Sequence, residues 1–439
     1  MILKLLNPKG LAGQSAMVMA LKALGMLMGY VVSVYISRQY GPAGMGIYSV
    51  SYTTIIILSY LASLGLPEAI LRYMGQFGDE RNSGKRVKLY HLVLKIMLVS
   101  SAVISLMFFG FSEPLSKALL GAGDYSSVMI WIGISLPFFT LNLVNVEALR
   151  GLSSPAASEF FRSCLITTTI LFLLYMAGSQ ELIFPVSALL LSIILTSTVS
   201  TWKTALKVQK LKKSLDEAIT KRELLGTSIP LMIVSLGSYF LGNVSVYVIQ
   251  IFEDTAQVGI YSLCLKLSLL ISFVLIAVNT TIAPKLSELY WSGQMVALNK
   301  VVTNATKYIF LMSLLPFLLL IILPETILKL IDSEFASGKY TLILLSLGQL
   351  INVFSGPVGL VLSMSGNQNK VMKVSLYVLV FTIAANIVLI YYFGIIGASL
   401  AMLFSIAIKN MWLIRLTKQS LGISIVYLPL NVKKRKINI

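Results

Sequence analysis

The sequence predicts an all-α polytopic membrane protein of about twelve transmembrane helices in two six-helix lobes, with both termini cytoplasmic. Three observations predict it. The 439 residues are 57% hydrophobic and 12% charged, with a mean hydropathy of +0.86, whereas a soluble chain carries about a quarter charged residues. Apolar runs of roughly 20 residues recur with short polar gaps, the length an α-helix needs to cross hydrocarbon. The bases also segregate. With cytoplasmic termini, 27 of the 35 Lys and Arg fall inside, 4 outside (Arg38, Lys117, Lys329, Lys339) and 4 within spans (Lys22, Lys95, Lys266, Lys409). That is the positive-inside asymmetry. The formal charge of +18 is therefore mostly topology, and no nucleic-acid partner is expected although basic chains raise that class.

The spans are read at about 13–36, 45–66, 89–111, 128–149, 158–178, 182–204, 227–252, 257–283, 303–324, 340–363, 373–393 and 394–416. An even number puts both termini on one side. The first span lacks a small-residue cleavage site and is expected to stay as an anchor. It carries Lys22 beside Gly25-x-x-x-Gly29, a spacing that permits close packing or a bend. Gly41-Pro42 suits a tight outer turn before the second span. Glu68 and Arg72, at i,i+4 beyond Pro67, read as a structural pair. His91, the sole histidine, stands on the cytoplasmic shoulder of the third span, where an interfacial role outweighs a proton relay. In the fourth, Glu147 is the one acid placed inside a span; it is a candidate for carrying a coupling proton, but Arg150 three residues on favours an ion pair.

The longest loop, about 203–226, holds seven Lys or Arg and mildly amphipathic leucines. It reads as a linker that also suits an anionic lipid surface. The expected organisation is thus an N-terminal lobe at 1–204, a basic linker at 205–226, a C-terminal lobe at 227–416 and a basic tail at 417–439. Lys433-Lys434-Arg435-Lys436 in the tail reads as an inside anchor. An internal echo supports two lobes: Gly46-Ile47-Tyr48-Ser49 opens the second span and Gly259-Ile260-Tyr261-Ser262 the eighth. Each copy leads through an apolar helix to a proline, Pro67 or Pro284.

Lys22 and Lys266 carry the chemistry. Each lies about 13 Å from an end of its span, near a bilayer midplane. A charge there costs roughly 2.5 to 3.5 kcal/mol unless it faces a cavity or a partner. Neither span holds an acid to neutralise it, so the expected anion is a substrate. Lys95 and Lys409 lie nearer an edge, where snorkelling competes with a cavity role. Asn243, Asn279, Gln349, Asn352 and Asn386 are intramembrane amides, mostly suited to bonds between helices; Asn243, Asn279, Gln349 and Asn352 are also candidates for a polar cavity. Cys164 and Cys264 suggest neither a disulfide framework nor a metal site, and no cofactor is expected. No loop is large enough for a catalytic domain. Gly338-Lys339 is followed by Tyr340, so there is no Walker A motif and the chain is not expected to be an enzyme.

Several stretches taken in order resemble one family. Ser37-Arg38-Gln39-Tyr40-Gly41-Pro42-Ala43-Gly44-Met45-Gly46-Ile47-Tyr48 is similar to an Ala-Arg-x-Leu-Gly-Pro-x-x-Tyr-Gly-x-Tyr signature, with Ser, Tyr and Met replacing three of its residues. Gly65-Leu66-Pro67-Glu68-Ala69 with Arg72-Tyr73, Arg150-Gly151, Ala283-Pro284-Lys285-Leu286, Leu347-Gly348-Gln349-Leu350-Ile351-Asn352, Ser363-Met364-Ser365-Gly366-Asn367-Gln368 and Gly394-Ile395-Ile396-Gly397-Ala398 follow. Together they resemble the polysaccharide (Wzx-type) flippases of the MOP superfamily, which also holds the MATE multidrug exporters and the lipid II flippases. The resemblance implies a MATE-like pair of lobes around a central, often cationic cavity. It implies movement of an undecaprenyl-pyrophosphate-linked glycan from the inner to the outer leaflet of the bacterial cytoplasmic membrane. The expected partners are that lipid-linked glycan, membrane lipids, and the polysaccharide polymerase and glycosyltransferases of the same pathway. Three rivals are weaker. A MATE-like exporter of organic cations wants an intramembrane acid where this chain has Lys22. Some lipid II flippases have helices beyond twelve. A polysaccharide polymerase or ligase generally presents a large outer loop.

Overall fold

The computed structural model describes residues 11–77, 83–121, 125–211 and 219–422; the basic tail at 433–436 and part of the basic linker lie outside them. Among the described residues all regular structure is helical. The elements are α1 (Leu11–Ser63), α2 (Leu66–Gln76), α3 (Ser83–Gly110), α4 (Ser112–Leu120), α5 (Ser126–Gly151), α6 (Pro155–Ala177), α7 (Phe184–Gln209), α8 (Lys221–Phe252), α9 (Thr255–Trp291), α10 (Met295–Ile322), α11 (Pro324–Ile331), α12 (Lys339–Ser355), α13 (Val358–Met364) and α14 (Gln368–Leu421). Nine of these helices are long and apolar enough to cross a bilayer, and the α12–α13 pair, bent by 42°, adds a tenth.

Two of the nine are each folded in two. Within α1 the backbone breaks at Gly41 (φ 64°, ψ −170°), and within α14 at Gly394 (φ 54°, ψ −137°). Both φ values lie where a Cβ is strained, so glycine is the residue that turns each long apolar run back as a hairpin. Pro42 follows Gly41 with a pre-set φ and no N–H to lose, which suits the first turn of the returning helix. Counting each broken helix twice and the bent pair once gives the expected twelve crossings.

The contacts group the chain into two units. The first comprises Met1–Cys264, Leu328–Gly338 and Asn386–Ala398, the second Leu265–Ile327, Lys339–Ala385 and Ser399–Ile439. In the first unit α5 packs against α2, α3 and α7. The short α2 shows why: its Leu66, Ile70, Tyr73 and Met74 recur at helical spacing and pack with Leu89, Val93 and Met97 of α3 and Val144 and Ala148 of α5. In the second unit α10 packs on α12. At the start of α8, Thr220 accepts a hydrogen bond from the Glu223 backbone N–H at 3.3 Å. The Thr-x-x-Glu spacing is that of a capping box and ends the basic linker in a defined helix start.

The sequence echo has a physical cause inside the first unit. A Cβ added to Gly46 would run into the Thr255 carbonyl, and one added to Gly259 into the Pro42 carbonyl. The two Gly-Ile-Tyr-Ser copies therefore meet where two helices cross backbone to backbone, a contact that only small residues permit.

Candidate functional site

The first unit holds a group of four charges where α5 runs into α6. Glu147 of α5 accepts a hydrogen bond from the Arg162 guanidinium and lies 3.4 Å from the Arg150 guanidinium. Glu159 stands 4.0 Å from both Arg150 and Arg162 and accepts a 2.8 Å hydrogen bond from Ser163. The acids are sunk, with side chains 11% and 5% exposed, while Arg150 and Arg162 remain 39% and 35% exposed. Each carboxylate is thus engaged by arginine, and each arginine keeps part of its guanidinium open.

Local structure explains the placement. Phe160–Cys164 is a π-helical turn inside α6, an irregularity that shifts the register of the side chains around it and recurs at functional sites. The first span packs on this turn: Cys164 Sγ donates to the Leu21 carbonyl at 3.1 Å, and a Cβ on Gly25 would collide with Ser163. Lys22, half-buried, lies about a quarter-turn round α1 from that contact. Asn142 of α5 donates to the Phe161 carbonyl at 3.4 Å.

A row of tyrosines leads to the cluster. Tyr48 and Tyr52 stack with centroids 6.0 Å apart, and Tyr60 meets Tyr239 of α8 at 5.8 Å. Tyr60 also lies within electrostatic range of Glu68, Arg162 and Glu147. Tyr239 bonds the Thr53 side chain, and the Tyr247 hydroxyl is 3.1 Å from that of Thr54. Ser235 donates to Glu68 at 2.7 Å. Glu68 is therefore held across to α8 rather than paired with Arg72, whose guanidinium lies 6.0 Å from the Tyr73 ring. That corrects the expected i,i+4 pair: a carboxylate at a helix edge takes the donor brought by a packed neighbour.

The second unit holds a neutral network. Ser272 of α9 donates to Gln349 Oε1 at 2.6 Å, Asn352 Nδ2 reaches Ser272 at 3.4 Å, and Asn410 Nδ2 donates to Asn352 Oδ1 at 3.2 Å. Lys266 is half-buried on α9, and Lys409, also half-buried, precedes Asn410 on α14. Asn279 is half-buried with its Oδ1 lacking a hydrogen-bond partner, and Asn386 is buried. Asn243 donates to the Tyr239 carbonyl within α8 at 3.0 Å. Lys95 and His91 are exposed on α3, the His91 Nδ1 bonded to the Val87 carbonyl at 2.8 Å. Both cysteines are free and buried.

The structure adds residues that the sequence reading passed over. Glu147 is not alone among intramembrane acids, since Glu159 is buried at the start of α6. Arg162 was counted only as a base. Tyr48 and Tyr52, at i and i+4, share one face of a helix; that spacing was the available signal for the start of the aromatic row.

Helices that cross the membrane in this order, with charged and polar groups inside them, define a multi-pass membrane transporter with the MOP fold. The chain is similar to the lipid II flippase MurJ in an inward closed conformation, with a TM-score of 0.76 at 14% identity over 91% of this chain and 87% of that one. It is also similar to a MATE family multidrug resistance transporter of the MOP superfamily in an inward-facing conformation, with a TM-score of 0.72 at 14% identity over 93% and 98% of the two chains. The family described as polysaccharide biosynthesis protein matches residues 12–290, and the MatE family matches residues 230–392. The chain belongs to the polysaccharide biosynthesis protein family. Among its relatives is a protein of Haloferax volcanii named probable low-salt glycan biosynthesis flippase Agl15, 22% identical over 86% of this chain and 77% of that protein.

Proposed function

We propose that the protein is a flippase that carries a polyprenyl-pyrophosphate-linked oligosaccharide from the inner to the outer leaflet of the bacterial cytoplasmic membrane by alternating access, for cell-surface polysaccharide synthesis. The two six-helix lobes, 1–204 and 227–416, are the parts that alternate, and both termini are cytoplasmic. The observation that carries the reading is the sign of the intramembrane charge. Around the π-helical turn both acids, Glu147 and Glu159, are already engaged by Arg150 and Arg162, and Lys22 stands on α1 beside the Leu21–Cys164 contact. A surplus of cations suits a pyrophosphate, whereas an exporter of organic cations needs an acid that is left open. The tyrosines offer ring faces and hydroxyls to sugars, and the relative named for a glycan biosynthesis flippase supports the same substrate class.

Lys22 and Lys266 are the proposed contacts for the phosphates, with Arg150 and Arg162 completing the anion surface of the first unit. The test is surface-glycan display in cells that depend on this chain. Lys22→Ala and Lys266→Ala should each abolish display at normal protein level, and arginine at either position should retain more activity than alanine. Normal display in the Lys22→Ala/Lys266→Ala double variant would overturn the assignment. Glu147→Gln should leave the pH dependence of transport unchanged, because Glu147 is tied to Arg162 and lies 3.4 Å from Arg150 as part of a structural ion-pair group. A selective loss of proton-driven transport would instead make Glu147 the coupling group.

A further inference from the structure

One end of α3 carries a cationic stripe with no part in the four-charge cluster. Lys88, His91 and Lys95 follow each other at spacings of three and four, so they share a face, and all three are exposed. Farther along, α3 turns large apolar side chains outward: Leu98, Val99, Val103 and Leu106 are all exposed. An outward apolar face on a membrane-spanning helix is a lipid-facing one. Lys95 lies about 9 Å along the axis from the start of the expected span at residue 89, within a single leaflet. Neither α3 nor α7 contains an Asp or Glu.

A cavity of 240 Å³ opens beside the stripe, between α3 and α7, with Val87, Tyr90 and His91 on one wall and Ala205, Val208 and Gln209 on the other. Its floor is fixed. The Tyr90 hydroxyl donates to Asn145 Oδ1 at 2.7 Å, and Asn145 Nδ2 donates to Thr201 at 2.8 Å. The His91 Nδ1–H is spent on the Val87 carbonyl at 2.8 Å, which turns Nε2 away from its own backbone. Trp202, 64% exposed, stands one turn before Ala205 on α7. An indole at this position suits the boundary between headgroups and hydrocarbon.

We propose that this groove binds an anionic phospholipid. Lys88 and Lys95 hold the phosphate and headgroup, and the glycerol end of the acyl chains lies in the cavity against Val87, Ala205 and Val208. The occupant follows from charge and continuity: two exposed lysines stand beside the cavity, and the surface runs directly into the lipid-facing side of α3. Basic grooves between membrane helices hold anionic headgroups for this reason.

The experiment uses the full chain in phosphatidylcholine nanodiscs doped with spin-labelled phosphatidylglycerol or spin-labelled phosphatidylcholine, comparing the motionally restricted fraction of each. The chain should restrict phosphatidylglycerol preferentially. Relative association should fall about fivefold for each lysine replaced in Lys88→Gln and Lys95→Gln. Arginine at both positions should keep the preference, and so should Lys203→Gln, which alters a lysine of α7 outside the cavity. Equal restriction of the two lipids by the unaltered chain would overturn the proposal, leaving a stripe of snorkelling side chains. Retention of the preference in the Lys88→Gln/Lys95→Gln double variant would overturn it too. Loss of the preference in millimolar inorganic phosphate would identify a small-anion site instead and equally reject a lipid occupant.

Discussion

Among the described residues the first unit holds a cluster of four charges, and the second a network of amides. Glu147, Glu159, Arg150 and Arg162 meet within 4.0 Å, whereas Ser272, Gln349, Asn352 and Asn410 form a chain of amides and one hydroxyl. The difference lies in what each loses when one member goes. An amide network gives up one hydrogen bond and can re-pair. A charge cluster leaves an opposite charge behind in a place poor in water. The same contrast appears in geometry, because the charged group rests on a π-helical turn and a close helix contact while the amides sit on continuous helix.

The largest effect should come from splitting the charged group. Arg162→Met removes the hydrogen-bonded partner of Glu147 and should cost about 2 to 3 kcal/mol. That is below the roughly 3 to 5 of a fully buried pair because the arginines are about a third exposed. The Arg162→Met/Glu147→Leu double variant should recover most of the loss, since Arg150 and Glu159 remain as a matched pair. Thermal unfolding of the four proteins in one detergent checks this, and a double variant no better than the sum of its singles would mean that the charges are not coupled.

Geometry gives the next test. Gly25→Ala drives a Cβ into Ser163, whose backbone lies 3.2 Å away, and should cost about 1 to 2 kcal/mol by overpacking. A smaller loss is expected in the neutral network: Gln349→Leu should cost about 0.6 kcal/mol, the average for a hydrogen bond between membrane helices. Smallest of all should be Gly348→Ala beside that network. Its Cβ would approach Ile406 and Leu403 at 3.4 Å, an ordinary contact, and the midpoint should stay within about 0.5 kcal/mol of the parent. A Gly348 effect equal to that of Gly25 would erase the geometric half of the contrast.

Much of the fold was legible because lipid imposes length and hydropathy on every span. Gly41 was readable as a turn, Gly394 as the boundary between two spans, and the Gly46 and Gly259 copies as related positions. What the sequence could not show was that those two glycines touch each other, since an offset of 213 residues says nothing of contact. The site was legible in part. Lys22 stands out as a charge within an apolar run, and the Glu147–Arg150 spacing announces an ion pair. Arg162, which donates to Glu147, lies 15 residues away, beyond a loop and inside the π-helical turn. No helical periodicity reaches across that break. Glu68 was misread for a related reason, because spacing along one helix is silent about Ser235, 167 residues distant.

The π-helical turn at Phe160–Cys164 also bears on how this chain tolerates change in length. Losing one residue from a regular stretch of α6 would rotate everything beyond it by about 100°. Losing one inside this turn lets it close as an ordinary α-turn, so that Leu165–Ala177 continues as helix on its present face. The cost falls on Glu159 and Arg162, which would swing away from Glu147 and Arg150. A shortened descendant would therefore keep its membrane span and lose its arginine cluster in a single deletion.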